Sequence, residues 1–402
     1  MIRTLVVVGF GMAAHRLLDR LCAEDSGHSW RVVVLSEEPR PAYNRIALSS
    51  YLAGCEAGAL SLPSGAILGS PRVDVQLGRA AVRLDRARRT VTSDDGTAYP
   101  YDALVLATGA RASVPPVPGH DLPGCFTYRS LADADAIRAA AAFSPGGGAV
   151  VVGGGLLGLE AADGLRRLGL GPHVVERAPH LMPTQLDADG ARLVERLVGA
   201  AGLRAYCGRP LLAVEPYRRG LLRVRLADAT VLDAALVVFS SGVRPRDELA
   251  AAAGLATAER GGCLVDAACR TEDPRIFAIG DCAAVEGRSY GLVTPGYRMA
   301  DAVAGQLLGR PEVFTYSGPV TRLKLPGVDV AGFGDTHALT PGALQISYRK
   351  RQAGHHIYAK IVLDKAAETL LGGILVGGAA ARSPLPALLG QKLPSPVEEL
   401  LP

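Results

Sequence analysis

Two stretches of this sequence have the residue types and spacing to hold a dinucleotide. Leu5 to Ala14 reads LVVVGFGMAA: four apolar residues run into Gly9, Gly11, Met12, Ala13 and Ala14, and His15 to Leu21 then carries leucines at helical spacing. The reading is strand, tight turn, helix. The first glycine permits the bend, the second lets backbone approach a pyrophosphate, and the small third residue lets helix pack on strand. N–H groups at the helix start then face the phosphates, where the helix dipole favours negative charge. Ala149 to Gly158 repeats the pattern with Gly153, Gly155 and Gly158, followed by a helix to Leu168. One glycine fingerprint is weak evidence, whereas two in one chain are hard to obtain by chance.

Each fingerprint is followed by a second strand that ends in acid. Arg31 to Ser36 ends in Glu37 and Glu38, roughly 20 residues or a little more past the first glycines, where a ribose hydroxyl would be held. Pro172 to Val175 ends on Glu176. A carboxylate there accepts from a ribose 2′-OH and repels a 2′-phosphate, so NADH is expected, with NADPH left open by the neighbouring Arg177.

Further candidates sit at the ends of apolar runs. Ala103 to Ala110 (ALVLATGA) places Thr108 and Gly109 at a strand's C-terminal end, Leu236 to Pro245 places Gly242 there, and Phe277 to Asp281 places Gly280 and Asp281 just past a third. Ligands of α/β sheets bind at such ends. The Asp281 carboxylate could hold polyol hydroxyls or cap the following segment. Arg45, in a proline-rich segment, could reach a phosphate or a ring.

The elements that must position these residues follow. Val73 to Leu84 and Thr90 to Thr97 read as short strands of an antiparallel insertion with a turn at Asp94-Asp95-Gly96, and Arg111 to Gly119 as a proline-rich linker. Leu292 to Ala300 starts a helix through Leu308. From Phe314 the texture changes to alternating strands, Thr321 to Gly332, Leu344 to Leu363 and Leu371 to Gly377, with a proline- and leucine-rich cap from Ser383 to Pro402. The fold class expected is α/β: two Rossmann-like domains plus a C-terminal α+β interface domain. Bounds are 1–115 with 245–315, then 116–244, then 316–402.

Composition narrows the function classes. Of 402 residues, 49% are hydrophobic and 20% charged, an ordinary globular balance. The net charge of +4 is small and the arginines are scattered, so no nucleic acid is expected. No signal peptide and no apolar run of the roughly 20 residues of a membrane span is evident, and a cytoplasmic protein is expected. The seven cysteines, at 22, 55, 125, 207, 263, 269 and 282, form no CxxC or CxC. No disulfide framework, metal site or iron–sulfur cluster is expected from them.

Taken together, the two fingerprints, ATGA, SGVRP and FAIGDC resemble the FAD-dependent pyridine-nucleotide reductases of the glutathione-reductase type over nearly the whole chain. More narrowly, EEPRPAYNRIALSSYLAG, VVERAPHLMPTQLD, YGLVTPGY and LKLPGVDVAGFGD look like the flavoprotein part of the NAD(P)H nitrite reductase large subunit and of assimilatory nitrate reductase electron-transfer subunits. The resemblance assigns Gly9, Gly11, Met12, Ala13 and Ala14 to the FAD pyrophosphate and Glu37 to its adenosine ribose. It implies that Arg45, Ala80, Thr108, Gly109 and Arg129 line the same cofactor, and that Gly280 and Asp281 bind the ribityl chain. Gly153, Gly155, Gly158, Glu176 and Gly242 would hold NADH. The implied activity is an NADH-dependent flavoprotein reductase that takes hydride onto FAD and passes electrons to a separate iron–sulfur or haem protein. Direct reduction of a small molecule (a nitro or nitroso compound, a quinone or oxygen) and a flavin-binding regulatory protein are the alternatives. A homodimer stays open.

Departures from the family pattern sharpen the expectation. Thiol-dependent members carry a CxxxxC or a single cysteine after the second strand, where this chain reads AYNRIALSS, with Cys55 further on. Many ferredoxin reductases place a lysine after Leu-Ser to pair with a glutamate of the second fingerprint helix. Here Ser50 stands there and leaves Glu160, the candidate catalytic residue, without it. Glu160 either works near the flavin N5 or makes a core hydrogen bond. Neither cysteine set of the iron–sulfur and sirohaem parts of nitrite reductase is present.

Overall fold

The computed structural model describes residues 2–316, 318, 320–352, 355–378 and 383–400. In chain order the elements used below begin with β1 (Arg3–Val8), α1 (Met12–Glu24), β2 (Trp30–Ser36), α2 (Leu48–Leu52), β3 (Val73–Leu77) and β4 (Ala103–Leu106). There follow β5 (Cys125–Thr127), α3 (Leu131–Ala142), β6 (Gly148–Val152), α4 (Leu156–Arg167), β7 (Gly171–Glu176), α5 (Ala188–Ala200), β8 (Arg204–Cys207) and β9 (Leu236–Phe239). The chain continues through β10 (Ile276–Ala278), α6 (Val293–Leu307), β11 (Val320–Arg322), β12 (Val330–Gly334), β13 (Leu344–Gln352), β14 (His355–Leu363) and β15 (Leu370–Val376).

These elements form two compact units. The first comprises Met1–Ala47, Glu56–Arg111 and Val243–Tyr316; the second comprises Leu48–Cys55, Ala112–Gly242 and Ser317–Pro402. The first holds a parallel sheet in the order β10-β4-β1-β2-β3. Its central strand is buried from Leu5 to Val8, as expected of a parallel strand covered on both faces. Leu17 and Leu18 of α1 close the core at 0% exposure, each such side chain contributing about 1.5–3 kcal/mol of burial.

The second unit repeats the topology. Its parallel sheet runs β8-β7-β6-β9-β5. In both sheets the fingerprint strand is central, with the second and third strands to one side and the fourth to the other, the order of doubly wound nucleotide-binding sheets. An antiparallel sheet, β11-β12-β15-β14-β13, completes this unit around Phe333, Ile361 and Leu375. Helix α5 packs on its strands β14 and β15.

Two local expectations change. Val73 to Leu84 is not one antiparallel piece: Val73–Leu77 is the parallel edge strand beside β2, and Ala81–Asp85 belongs to a separate three-stranded antiparallel sheet with Thr90–Ser93 and Ala98–Pro100. An edge strand is covered less completely than a central one, so its alternation imitates a hairpin strand. Leu236 to Pro245 likewise divides into β9 and a short strand at Val243–Pro245, because Gly242 at φ +101° turns the chain. Residues 383–400 of the cap contain a 3₁₀ turn at Leu385–Leu388 and a one-turn helix at Val397–Leu400, while 401–402 lie outside the described residues. No helix among the described residues is long and apolar enough to cross a membrane.

Candidate functional site

The two glycine turns have the same geometry, bond for bond. In the first unit the Gly9 N–H donates to Leu35 O of β2 at 2.7 Å, and Ala107, just past β4, donates to Val8 O at 2.7 Å. In the second, the Gly153 N–H donates to Val175 O of β7 at 2.8 Å, and Ser240, just past β9, donates to Val152 O at 2.8 Å. Gly9 has φ +101° and a Cβ there would lie 2.2 Å from the Ala107 carbonyl oxygen; Gly153 has φ +118° and its Cβ would lie 2.3 Å from that of Ser240. Only glycine fits both the backbone angle and the space.

Gly11 and Gly155 are the N-caps of α1 and α4, and neither helix has a capping side chain or an acid in its first turn. Two other long helices look after their own N-termini: α3 has a Ser130–Asp133 capping box and α5 is capped by Asp187. Uncapped first-turn N–H groups beside a glycine turn fit the pyrophosphate of a dinucleotide. Helix α6 is also uncapped, and its Gly296 lies against Gly280 of the first unit, where a Cβ on it would sit 3.4 Å from the Gly280 Cα.

Gly9, Gly11, Met12, Ala13, Ala14, Glu37, Arg45, Ala80, Thr108, Gly109, Gly280 and Asp281 all lie in the first unit, where a Cβ on Gly9 would lie 3.2 Å from the Thr108 nitrogen and one on Gly280 3.3 Å from the Ala13 Cβ. Glu37 directly follows β2, with 59% of its side chain exposed, and is ion-paired to Arg246. Arg246 also accepts the Thr108 hydroxyl at 2.5 Å on its carbonyl and donates its N–H to Gly109 O at 2.9 Å. It thus ties the acidic strand end to the Thr-Gly strand end, a role that sequence reading missed although Arg246 directly follows the SGVRP motif. Arg45 is ion-paired to Glu38, which also accepts from the Tyr43 hydroxyl at 2.9 Å. Arg129 lies in the second unit, its N–H donating to Asp133 at 2.8 Å.

Gly153, Gly155, Gly158, Glu176 and Gly242 all lie in the second unit, where a Cβ on Gly158 would lie 1.9 Å from the Gly153 carbonyl oxygen. Glu176 is buried, and its two carboxylate oxygens accept from the Gly154 N–H at 2.7 Å and the Ala178 N–H at 2.8 Å. It therefore braces the glycine turn itself, and each oxygen keeps a second lone pair for a hydroxyl donor. Beside this turn the Ser240 hydroxyl has no partner among the described residues, a donor a bound ligand would satisfy.

Glu160 lies on α4 and is 8% exposed. It accepts the Lys324 N–H at 3.2 Å and a hydrogen bond from the Ser49 hydroxyl, with the Lys324 ammonium also acting on it. A cation thus reaches Glu160 from the C-terminal sheet's segment, not from the position of Ser50. Tyr128, fully buried, feels the Glu160 charge, and its hydroxyl has no partner among the described residues. Ser49, Tyr128 and Lys324 were missed because they come from three distant segments.

Burial pushes the Glu160 carboxyl above the ordinary carboxylate range, against the pull of Ser49 and Lys324. A carboxyl whose pKa is raised by folding contributes stability that is complete below its unfolded value and fades as pH rises through the folded one. The Glu160→Gln protein should therefore gain melting temperature relative to wild type as pH rises from about 4 to about 8. Parallel melting curves across that range would contradict this electrostatic picture.

Burial raises six of the seven thiols. Burial pushes Cys207, Cys263 and Cys269 up to about 12 and Cys125 up to about 11, and raises Cys22 and Cys282 as well. The Cys282 thiol donates to Leu106 O and Ile279 O at 3.4 and 3.3 Å. Thiols held protonated are poor nucleophiles. Iodoacetamide under native conditions should leave NADH-dependent flavin reduction within about twofold of the untreated rate, measured by stopped-flow absorbance; parallel loss of activity and of one thiol would reverse this reading. Among the described residues no cluster of His, Cys, Asp and Glu could hold a metal.

The family described as pyridine nucleotide-disulphide oxidoreductase matches residues 3–302. The chain is 42% identical over 399 residues to the nitrite reductase NAD(P)H large subunit of Klebsiella oxytoca, spanning 99% of this chain but 41% of that protein. It is 34% identical over 375 residues to the biphenyl dioxygenase system ferredoxin–NAD(+) reductase component of Paraburkholderia xenovorans, spanning 92% of this chain and 89% of that one. Among solved structures, the ferredoxin reductase for the CYP199A2 system from Rhodopseudomonas palustris superposes with a TM-score of 0.85 at 28% identity, covering 100% of this chain and 97% of that chain.

Proposed function

Because the chain belongs to the pyridine nucleotide-disulphide oxidoreductase family, we propose that it is an NADH-dependent FAD reductase that hands electrons to a separate iron–sulfur or haem protein in the cytoplasm. The reading rests on the paired glycine turns, each with a glycine at positive φ and an uncapped helix behind it. Burial holds six of the seven thiols protonated, which favours an outside electron acceptor over a disulfide. When bound, FAD supplies the two-electron acceptor for hydride from NADH.

In this reading residues 1–115 with 245–315 form the FAD domain, 116–244 the NADH domain and 316–402 the interface domain. The first turn, from Gly9 through Ala14, holds the FAD pyrophosphate with backbone N–H groups, and Glu37 takes the adenosine ribose. Arg45, Ala80, Thr108, Gly109 and Arg129 line the cofactor, and Gly280 with Asp281 orients its ribityl chain. In the second domain Gly153, Gly155, Gly158 and Gly242 bind NADH, and Glu176 selects a free 2′-hydroxyl, leaving NADPH the poorer donor. Glu160, held by Ser49 and Lys324, keeps a carboxyl fixed on the NADH helix.

The curated ferredoxin–NAD(+) reductase component, most of whose length this chain spans, supports a protein acceptor. The nitrite reductase relative, of which the chain spans under half, supports a place in nitrite or nitrate metabolism. The test is reduction of a plant-type [2Fe–2S] ferredoxin by NADH, with catalytic FAD-loaded protein and cytochrome c as the final acceptor. Turnover that depends on the ferredoxin supports the proposal. Oxygen consumption unaffected by ferredoxin would overturn it in favour of a small-molecule reductase.

A further inference from the structure

A groove outside both glycine turns gathers cations from two elements of the second unit. Its walls are α5, which carries Arg192 and Arg196 one turn apart, and the β13–β14 hairpin, which carries Arg349, Lys350 and Arg351. The cavity between them measures about 600 Å³. One carboxylate faces it: Asp189, paired to both Arg192 and Arg349. Among the described residues five cations against one carboxylate give the groove a formal excess equal to that of the whole chain, +4. Among the described residues Arg196, Lys350 and Arg351 have no carboxylate within ion-pair distance.

The two walls are held at a fixed separation. Asp187, the N-cap of α5, accepts the Tyr358 hydroxyl at 2.6 Å and pairs with Lys360 at 3.5 Å. Arg349 bridges from β13 to Asp189. Like charges on facing walls repel, and Asp189 offsets only part of the excess, so an anion entering the groove would be attracted. Guanidinium forks match the planar pairs of oxygens on phosphate, and a cavity of this size admits a small molecule, whereas protein partners need a broader and flatter surface.

We propose that the groove between α5 and the β13–β14 hairpin binds a small, multiply charged phosphate compound, either condensed phosphate or a nucleoside polyphosphate. Neither glycine turn nor Glu176 lines it, so it is a third anion site, separate from the two dinucleotide sites.

Isothermal titration calorimetry on the FAD-loaded protein, with NAD⁺ saturating to block the second turn, tests this with inorganic tripolyphosphate and with ATP as probes. Tripolyphosphate should bind saturably with one site per chain, and added salt should weaken it. The triple exchange Arg196→Gln, Lys350→Gln and Arg351→Gln should raise its Kd at least tenfold while NADH oxidation with ferricyanide stays unchanged. If that variant does not fold, the single exposed exchange Arg196→Gln should still raise the Kd severalfold. ATP binding tighter than tripolyphosphate assigns the nucleoside polyphosphate, and equal binding assigns condensed phosphate. No saturable heat with either probe, or a Kd unmoved by the exchanges, overturns the proposal; so does binding of polyglutamate where tripolyphosphate fails, which would make the groove a protein-docking surface.

Discussion

The Gly153→Ala protein should purify yellow and react only slowly with NADH. A methyl group at this position meets the Ser240 carbonyl oxygen at 2.3 Å, and the backbone angle of +118° is one that an L residue rarely adopts. The oxygen belongs to the chain leaving β9 in the middle of the second sheet and cannot swing aside as a side-chain end would. The turn must open, and the first-turn N–H groups of α4 then leave the line along which they meet a pyrophosphate. We expect kcat/KM for NADH to fall at least about 100-fold, equivalent to about 2.7 kcal/mol of lost binding and transition-state stabilisation. FAD content should stay near one per chain, because the turn at Gly9 is built from other strands. Gly9→Ala, whose Cβ would meet the Ala107 oxygen at 2.2 Å, should give the opposite phenotype: colourless protein. If Gly153→Ala lost flavin and Gly9→Ala kept it, the assignment of the two turns would be reversed.

Removing the Glu176 carboxylate should cost both stability and donor selectivity. In Glu176→Ala the buried Gly154 N–H and the half-buried Ala178 N–H lose the acceptor now found at 2.7 and 2.8 Å. Hydrogen bonds to a charged acceptor are worth about 1.5–3 kcal/mol each, so two lost together should lower unfolding stability by about 3 kcal/mol, read from urea denaturation of the holoprotein. The Kd for NADH should rise at least about tenfold. NADPH should suffer less, since the charge that repels its 2′-phosphate is also gone, and the preference for NADH should shrink. Glu176→Gln separates the two effects: an amide oxygen can still accept one of the two N–H groups, so it should recover part of the stability while losing the repulsion. An unchanged ratio of NADH to NADPH efficiency in both variants would remove Glu176 from the donor site.

Much of this was legible from the sequence because it depends on local chemistry. A glycine turn after a four-residue apolar strand has few alternatives, and Gly9 and Gly153 occupy the geometry their spacing implies, down to equivalent hydrogen bonds. Strand ends such as Ala103–Leu106 and Leu236–Phe239 were legible for the same reason: uninterrupted apolar runs ended by small residues. Val73–Leu77 was misread because an edge strand shows the alternation of a hairpin, and only its partner β2 reveals that it is parallel. The surroundings of Glu160 were not legible at all. Ser49, Tyr128 and Lys324 are brought to it by tertiary folding across more than half the chain, and the lysine expected next to Ser49 is replaced by one from a different segment. Arg246 was hidden for a similar reason, its two hydrogen bonds and its ion pair all reaching strand ends remote in sequence.

The measurement that bears most directly on the account is the visible spectrum of the FAD-loaded protein during an anaerobic titration with NADH. One FAD per chain should bleach fully with about one equivalent of NADH, as a single two-electron acceptor requires. Gly153→Ala should bleach at least about 100-fold more slowly at the same limiting NADH concentration. A protein that fails to take up FAD on reconstitution would contradict the account at its root, and bound flavin that excess NADH leaves yellow would contradict its assignment as a reductase.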